Sequence, residues 1–369
     1  MKKLLCLAPY RFLPPVSGGH KAIAFLYTHL SQKTDLICVS TKSNDYSLIR
    51  SYRLIPLLPD SFTRYFNPFL FFRIKRLIRK NEVTHLLIEH PYFGWLGWLL
   101  KKSCGVQLII RSHNIEYQRF KSMGKWWWQI LFFYEKWSHR RADYNFFITD
   151  NDLITALKKF KLKEAGCLSV YYGTEIKNPP TPDEKRSARI FLNEKHGLSP
   201  SETILLYNGA FGYKPNLKGL QMLLESVLPE LDKKQLPYKL IICGKGVPES
   251  IVKKSYPRVV FTGFVEDITI YLKGADIFVN PVTDGGGIKT KLAEALACNC
   301  TSVSFASGAT GLPSAILENK LHLVPNHDTR QFADTIFYAM SIQKDTPAEF
   351  YTLFSWEAIS ARALRFIGL

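Results

Sequence analysis

Between Pro281 and Leu312 the chain reads PVTDGGGIKTKLAEALACNCTSVSFASGATGL. An apolar run, IFVNPV, leads into Asp284 and three consecutive glycines, Gly285, Gly286 and Gly287. A helix is predicted to open at about Ile288 and to carry Glu294. Glycine lets backbone amides approach a ligand closely, because no Cβ stands in the way. The first turn of a helix offers unpaired N–H groups and a partial positive charge, which together suit a diphosphate. Lys289 and Lys291 fall in that first turn, where the helix dipole disfavours cations unless an anion sits in front of them. Glu294 comes one to two turns later, placed to accept hydrogen bonds from ribose hydroxyls. The competing reading of the same residues is a surface loop with an ordinary helix behind it.

Three further groups carry the marks of chemistry. Ser17-Gly18-Gly19 is a second glycine loop, ahead of a helix predicted over His20–Ser31. His113 lies in RSHN, just past the apolar run VQLII, and a histidine at the carboxyl end of a parallel strand sits where ligands bind in such sheets. Its neutral imidazole is a candidate donor to a hydroxyl or to developing charge. Glu116 follows one turn later, placed to orient that histidine or to cap a helix. Asp150-Asn151-Asp152 imitates a metal-binding Asp-x-Asp, but its place between YNFFIT and LITALKKF is that of an N-cap and first-turn acid. Cys298-Asn299-Cys300 has no histidine or cysteine neighbours, so no metal site is expected there. The seven cysteines, Cys6, Cys38, Cys104, Cys167, Cys243, Cys298 and Cys300, are odd in number and widely spaced, which argues against a disulfide framework.

The elements that must position these groups alternate. KLLCLAP, DLICVST, THLLIEH, VQLIIRSH, YNFFITD and CLSVYYG read as strands, with helical segments such as Phe69–Lys80 between them. The polar, proline-rich NPPTPDEKRSARI from Asn178 reads as a linker. A second series follows: TILLYNG, YKLIICG, VVFTGF, IFVNPV, CTSVSF and LHLVP, with helices over Leu217–Glu230 and Thr290–Ala297. The last stretch, Phe350–Leu369, is helical with no strand after it. The expected fold class is α/β, with two Rossmann-like doubly wound domains facing each other across a cleft. The first spans residues 1–177 and is joined by the C-terminal helix 350–369; the second spans 178–349. Ligands of such sheets bind beyond the carboxyl ends of the strands, which places the expected site in that cleft.

Composition sets the outer bounds. The 369 residues, 46% hydrophobic and 22% charged, are enough for two ordinary cores. No run reaches the roughly 18 uncharged apolar residues that span a bilayer. LLCLA is too short for the apolar region of a signal peptide, so a cytoplasmic location is expected. A net charge of +18 favours anionic partners. The charge is concentrated in RYFNPFLFFRIKRLIRK, from Arg64, and KWWWQILFFYEKWSHRR, from Lys125, where cations interleave with aromatic bulk. Such segments suit an anionic membrane interface. On a helix, Trp126, Trp127 and Trp128 would span about 200 degrees, so one core-facing stripe cannot bury all three. No recognisable nucleic-acid module accompanies the charge, and no nucleic-acid partner is expected. A P-loop, a zinc-protease helix, a nucleophile elbow and a dinucleotide-binding glycine fingerprint are all missing.

GGGIKTKLAEALA, followed by a strand and then SGATGL, resembles the donor-binding motif of retaining glycosyltransferases of family 4, which have the GT-B fold. The resemblance extends back through YNGAFGYKPNLKGLQMLLESVLPEL from Tyr207, IICGKG from Ile241 and VVFTGFVEDITIYLKGADIFVNP from Val259. It runs more loosely through LAPYRFLPPVSGGHKAIAFLYTHL, RSHNIEYQRF and ITDNDL in the first half. The resemblance implies transfer of a sugar, with retention, from a nucleotide-diphosphate donor to a glycan or lipid-linked acceptor hydroxyl. It also implies that neither metal nor cofactor is needed. Such enzymes often act on lipid-linked glycans at the inner membrane face, in cell-surface polysaccharide or glycolipid synthesis. Gly18 and Gly19 would approach the donor phosphates or the acceptor, His113 the donor sugar or the acceptor, and Lys214 or Lys218 the departing diphosphate. Glu294 matches the ribose-binding glutamate of the family's pair, whereas the position of its sugar-binding partner falls on Gly286. Asp284, two residues earlier, is the candidate substitute. That departure leaves a second reading open: an inactive relative that binds lipid or polysaccharide.

Overall fold

The computed structural model describes residues 2–284, 290–317, 319–342 and 344–369. The chain divides into two compact units, Met1–Gly173 with Trp356–Leu369, and Thr174–Ser355. The first holds a wholly parallel seven-stranded sheet: β1 (Lys3–Leu7), β2 (Asp35–Thr41), β3 (Arg53–Leu58), β4 (His85–Glu89), β5 (Gln107–Ser112), β6 (Tyr144–Phe147) and β7 (Cys167–Ser169). Their order is β3-β2-β1-β4-β5-β6-β7. The second unit holds β8 (Thr203–Asn208), β9 (Tyr238–Cys243), β10 (Val259–Gly263), β11 (Ile277–Asn280), β12 (Thr301–Phe305) and β13 (Leu321–Val324), ordered β10-β9-β8-β11-β12-β13. Both sheets therefore reverse winding once, between β1 and β4 and between β8 and β11, and ligands of doubly wound sheets bind at such switch points.

Central strands buried on both faces read as unbroken apolar runs; β4 and β12 are buried at every residue. β3 escapes that reading. It is an edge strand, half exposed, with Pro56 inside it, and proline is tolerated in a sheet only at such an edge. The helix Phe69–Lys80 forms where expected and buries Leu70, Ile74 and Ile78, four apart, against the sheet. Gly18–Ser31 starts at the glycine pair, with Ser17 as its N-cap. The expected helix from Leu217 begins earlier, at Lys214, and passes through a π-helical turn, Leu223–Val227, before ending at Asp232.

Three local expectations are corrected. The cap of Asp150–Phe160 is Thr149, whose Oγ1 accepts from the Asp152 amide; Asp150 instead accepts hydrogen bonds from Ser169 and Tyr171. The three tryptophans do not share a helix, because the helix opens only at Trp128. Trp126 is 80% exposed, while Trp127 packs on Phe120 and Trp128 stacks on Tyr117. The final stretch is two helices, Ala348–Phe354 and Trp356–Phe366, broken at Ser355. The first stays with the second unit, where the Tyr351 hydroxyl donates to the Ala297 carbonyl at 3.0 Å. The second packs in the first unit with Trp356 buried against Phe25, Tyr172 and Gly173, where a Cβ would come within 2.6 Å of the indole. The crossings thus fall after Gly173 and Ser355 rather than at 177 and 349.

Candidate functional site

At the switch point of the first sheet, the ends of β1, β4 and β5 bring Tyr10, Glu89, His90, Arg111 and His113 together. Parallel register sets Glu89 beside Arg111 on the neighbouring strand. Arg111 Nη1 lies 3.1 Å from both Glu89 oxygens, and both side chains are fully buried. His113 Nε2 lies 2.7 Å from Glu89 Oε2. Burial alone would push the Glu89 carboxyl up, but Arg111 and His113 outweigh it and hold it at about 2. His113 is pushed down to about 4, first by burial and then by His90 and Arg111, so its ring is neutral near pH 7. A neutral ring has one N–H. Arg111 Nη1 also lies 3.2 Å from Nε2, but the ionised carboxylate is nearer, at 2.7 Å, and would meet a bare lone pair there with repulsion, so it takes the N–H on Nε2 and leaves Nδ1 as an acceptor.

This corrects two readings. His113 does not offer a donor outward; it offers a lone pair. Glu116 does not orient His113, since it lies 3.1 Å from Nδ1 of His90 instead, and Glu89 holds His113. His90 was missed, although LLIEH ends on it as RSH ends on His113. The rings of the two histidines lie 4.4 Å apart. His90 sits at φ 63, ψ 157, a backbone region that is essentially glycine's and costs about 1–3 kcal/mol elsewhere. Such strain concentrates at functional sites. A Cβ on Gly19 would lie 3.8 Å from both His113 Nδ1 and Tyr10 Oη, so these two atoms border the space beside the glycine loop.

The neutral histidines make stability depend on pH. Between about 6.5 and about 4 the unfolded chain binds a proton at His113 that the fold does not. His139, buried and hydrogen-bonded to Asn145, adds a second such proton. The contribution of these two rings is therefore full above pH 6.5 and falls as the pH drops toward 4, while Glu135, pushed up by burial to about 8, and Asp152, pushed up to about 6, change stability in the opposite sense. Proton NMR titration of the two histidine C2–H signals measures this, and a ring that titrates near its ordinary value of about 6.5 in the folded protein would show that it is not held neutral.

In the second unit, the chain leaves β8 through Gly209–Tyr213 and packs backbone against backbone on Gly244–Gly246 beyond β9. A Cβ at Gly244, φ 142, would overlap the Gly209 carbonyl. Lys214 opens the helix Lys214–Met222, is exposed, and has no hydrogen-bonding partner among the described residues. Lys218, one turn on, pairs with Asp284 at 2.9 Å, and both are about half exposed. Lys291 Nζ reaches Asn208 O at 3.3 Å and Asn216 Oδ1 at 3.2 Å, over the ring of Tyr207. Glu294 is half-buried on the helix Thr290–Ala297. Lys218, Asp284 and Lys291 thus gather at the ends of β8 and β11, the switch point of this sheet. Gly285, Gly286, Gly287, Ile288 and Lys289 lie outside the described residues. The SGATGL segment is tied in by Gly308, where a Cβ would come within 2.5 Å of Val282 O, and by Ser307, which donates to Thr283 O. No group of three or more histidine, cysteine or acidic side chains among the described residues is placed to hold a metal.

Comparison with known proteins agrees with this division. Residues 16–165 match the family described as Glycosyltransferase Family 4, and residues 202–341 match Glycosyl transferases group 1. No curated protein matches the chain by sequence. Among solved structures, a sucrose-phosphate synthase from Thermosynechococcus elongatus superposes with a TM-score of 0.74 at 19% identity, covering 100% of this chain and 98% of that one. A glycosyltransferase from Rickettsia africae gives 0.73 at 15%, covering 99% and 97%. HepE of Anabaena, solved in complex with UDP, gives 0.71 at 12%, covering 100% of both. The chain has the GT-B fold, and it is a glycosyltransferase of GT-B type.

Proposed function

We propose that the protein moves a sugar from a nucleoside-diphosphate donor to a hydroxyl of a glycan or lipid-linked acceptor, with retention of configuration and without a metal or cofactor. The observation that carries this is the gathering of Lys218, Asp284 and Lys291, with Glu294 behind them, at the switch point of the second sheet. These groups suit a donor nucleotide: cations for the diphosphate and a carboxylate for the ribose. HepE has been solved with UDP, with UDP and glucose, and with UDP-glucose, which supports a uridine donor. Lys214, whose side chain has no partner among the described residues, opens the helix Lys214–Met222; Lys218 pairs with Asp284, the candidate substitute for the missing glutamate. Departure of the diphosphate on the face where the acceptor enters preserves configuration, and fixed cations beside the leaving group lower the barrier.

Thermal-shift measurements with UDP, GDP, ADP and CMP test the donor site, because a ligand of the folded state raises its melting temperature. UDP is expected to give the largest rise. Glu294→Ala is expected to weaken that nucleotide by about 1–3 kcal/mol, the loss of a charge-assisted hydrogen bond. Unchanged affinity in this variant would remove Glu294 from the site.

The acceptor reading rests on the first unit. Phe62 and Phe66, on a short turn, and Phe69 and Phe72, on the helix Phe69–Lys80, are each about 70% exposed, and Arg73, Arg76, Arg79 and Lys80 continue the exposed face of that helix. Trp126, Ile130 and Phe133 form a second exposed apolar stripe beside Lys125. No helix among the described residues is long and apolar enough to cross a membrane. Rings at the apolar boundary and cations on lipid phosphates fit a peripheral site on the inner membrane face. A lipopolysaccharide outer core galactosyltransferase, WaaB, is among the structural neighbours, which supports a role in cell-surface glycan synthesis. Each cation near anionic lipid adds about 1 kcal/mol before screening. Flotation is expected to recover the protein with phosphatidylglycerol-containing vesicles, not with phosphatidylcholine alone, and less at high salt. Charge reversal at Arg76 and Arg79 is expected to reduce it. Equal recovery with both lipids, or none, would leave these faces without a membrane role.

A further inference from the structure

We infer that Tyr10, His90 and Glu116 form a chain that accepts the proton of the acceptor hydroxyl during transfer, an assignment that rests on the glycosyl-transfer reading above. The chain is fixed from its buried end. Glu116 receives His90 Nδ1 at 3.1 Å, the Tyr92 hydroxyl at 2.6 Å and Arg119 Nη1 at 2.8 Å. Its own backbone N–H and that of Tyr117 donate to Glu135, each at 2.9 Å, so the segment that carries it is anchored. Burial raises the Glu116 carboxyl, but its bond to His90 and the Arg119 charge prevail, and it titrates at about 2.

An ionised Glu116 only accepts, so Nδ1 of His90 carries a proton, and in the ring's neutral form its Nε2 presents a lone pair. The Tyr10 hydroxyl lies 3.0 Å from that Nε2 and donates to it. Burial, then the Glu89 charge, push the Tyr10 hydroxyl above its ordinary value, so it holds its proton at neutral pH. With that proton turned inward, Tyr10 Oη shows only lone pairs to the space beside Gly19. His113 Nδ1, fixed as an acceptor by Glu89, borders the same space.

Two acceptors facing one space call for a ligand that brings O–H donors. Sugar hydroxyls do so, whereas a phosphate oxygen, itself an acceptor, does not. His90 and Glu116 are almost wholly buried, while Tyr10 keeps part of its surface exposed and is the chain's outer end. The acceptor oxygen forms its bond to the donor's anomeric carbon as the bond from that carbon to the diphosphate oxygen breaks. The acceptor's proton passes to Tyr10 Oη, and the Tyr10 proton passes to His90 Nε2. The resulting imidazolium rests against the Glu116 carboxylate, and the diphosphate leaves with the bonding pair. The imidazolium returns its proton through Tyr10 to solvent.

The test uses the full chain with UDP-glucose as donor and a panel of octyl glycosides as acceptors, and follows UDP release and glycoside formation. Tyr10→Phe and Glu116→Gln are expected to lower kcat by about 10²-fold, the usual contribution of a positioned base, with donor KM and the UDP-induced thermal shift retained. His90→Gly suits the local backbone, since φ 63 is a glycine conformation. It is expected to lose the same activity and to regain it with added imidazoles, faster with the more basic ones. Activity of Tyr10→Phe within about threefold of wild type, or rescue that ignores basicity, would overturn the chain alone. Wild-type protein that forms no glycoside with any acceptor overturns the transfer reading, and the chain with it.

Discussion

Glu89→Ala will destabilise the first unit by about 3–5 kcal/mol, because it strands a buried cation. Arg111 is fully buried, and its Nε and Nη2 have no hydrogen-bonding partner among the described residues. The bond from Nη1 to Glu89 is thus the main compensation for taking a guanidinium out of water. Removal of a whole buried ion pair can be nearly neutral, but removal of one member is not. Equilibrium urea unfolding with the variant measures the difference. A loss under about 1 kcal/mol would show that Arg111 finds another counter-charge or water, and would weaken the argument for the His113 tautomer as well.

His113→Ala will lower the rate of glycosyl transfer by at least about 10²-fold while nucleotide affinity changes little. The expectation follows from the ring's fixed state: Nε2–H is taken by Glu89, the ring is neutral, and Nδ1 accepts beside Gly19. His113→Asn will recover part of the loss, since the asparagine oxygen comes near the place of Nδ1 and also accepts. Near-normal turnover of the alanine variant would return His113 to a purely structural role. An asparagine variant no better than alanine would contradict the acceptor assignment.

The two groups were unequally legible in the sequence. Strand runs buried on both faces announce themselves, and His113 could be found because it follows such a run. Its partner could not. Glu89 is the last residue of another strand, 24 positions away, and reaches His113 only through the parallel register of β4 and β5. Glu116, one helical turn from His113 in sequence, was the natural but mistaken choice, because chain proximity is not register. His90 was available to the same strand-end rule that found His113. Its positive φ, the sign of strain, is not visible in residue types. β3 hid behind Pro56, and Ser355 divides a run that reads as one helix. Between the two candidate lysines sequence spacing was silent, whereas the fold pairs Lys218 with Asp284 and leaves Lys214 exposed.

Transfer of a sugar from a nucleotide donor underlies each of these expectations. Proton NMR of the wild-type protein with UDP-glucose and the octyl glycosides tests it most directly, because one spectrum reports donor loss, product linkage and anomeric configuration. The donor's anomeric signal is expected to decline as free UDP grows, a new glycoside signal of the same configuration to appear, and Glu294→Ala to slow all three together. An inverted glycoside would contradict retention. A donor that stays intact with UDP-glucose, GDP-, ADP- and CMP-sugars alike, in a protein that melts cooperatively, would contradict the transferase account itself.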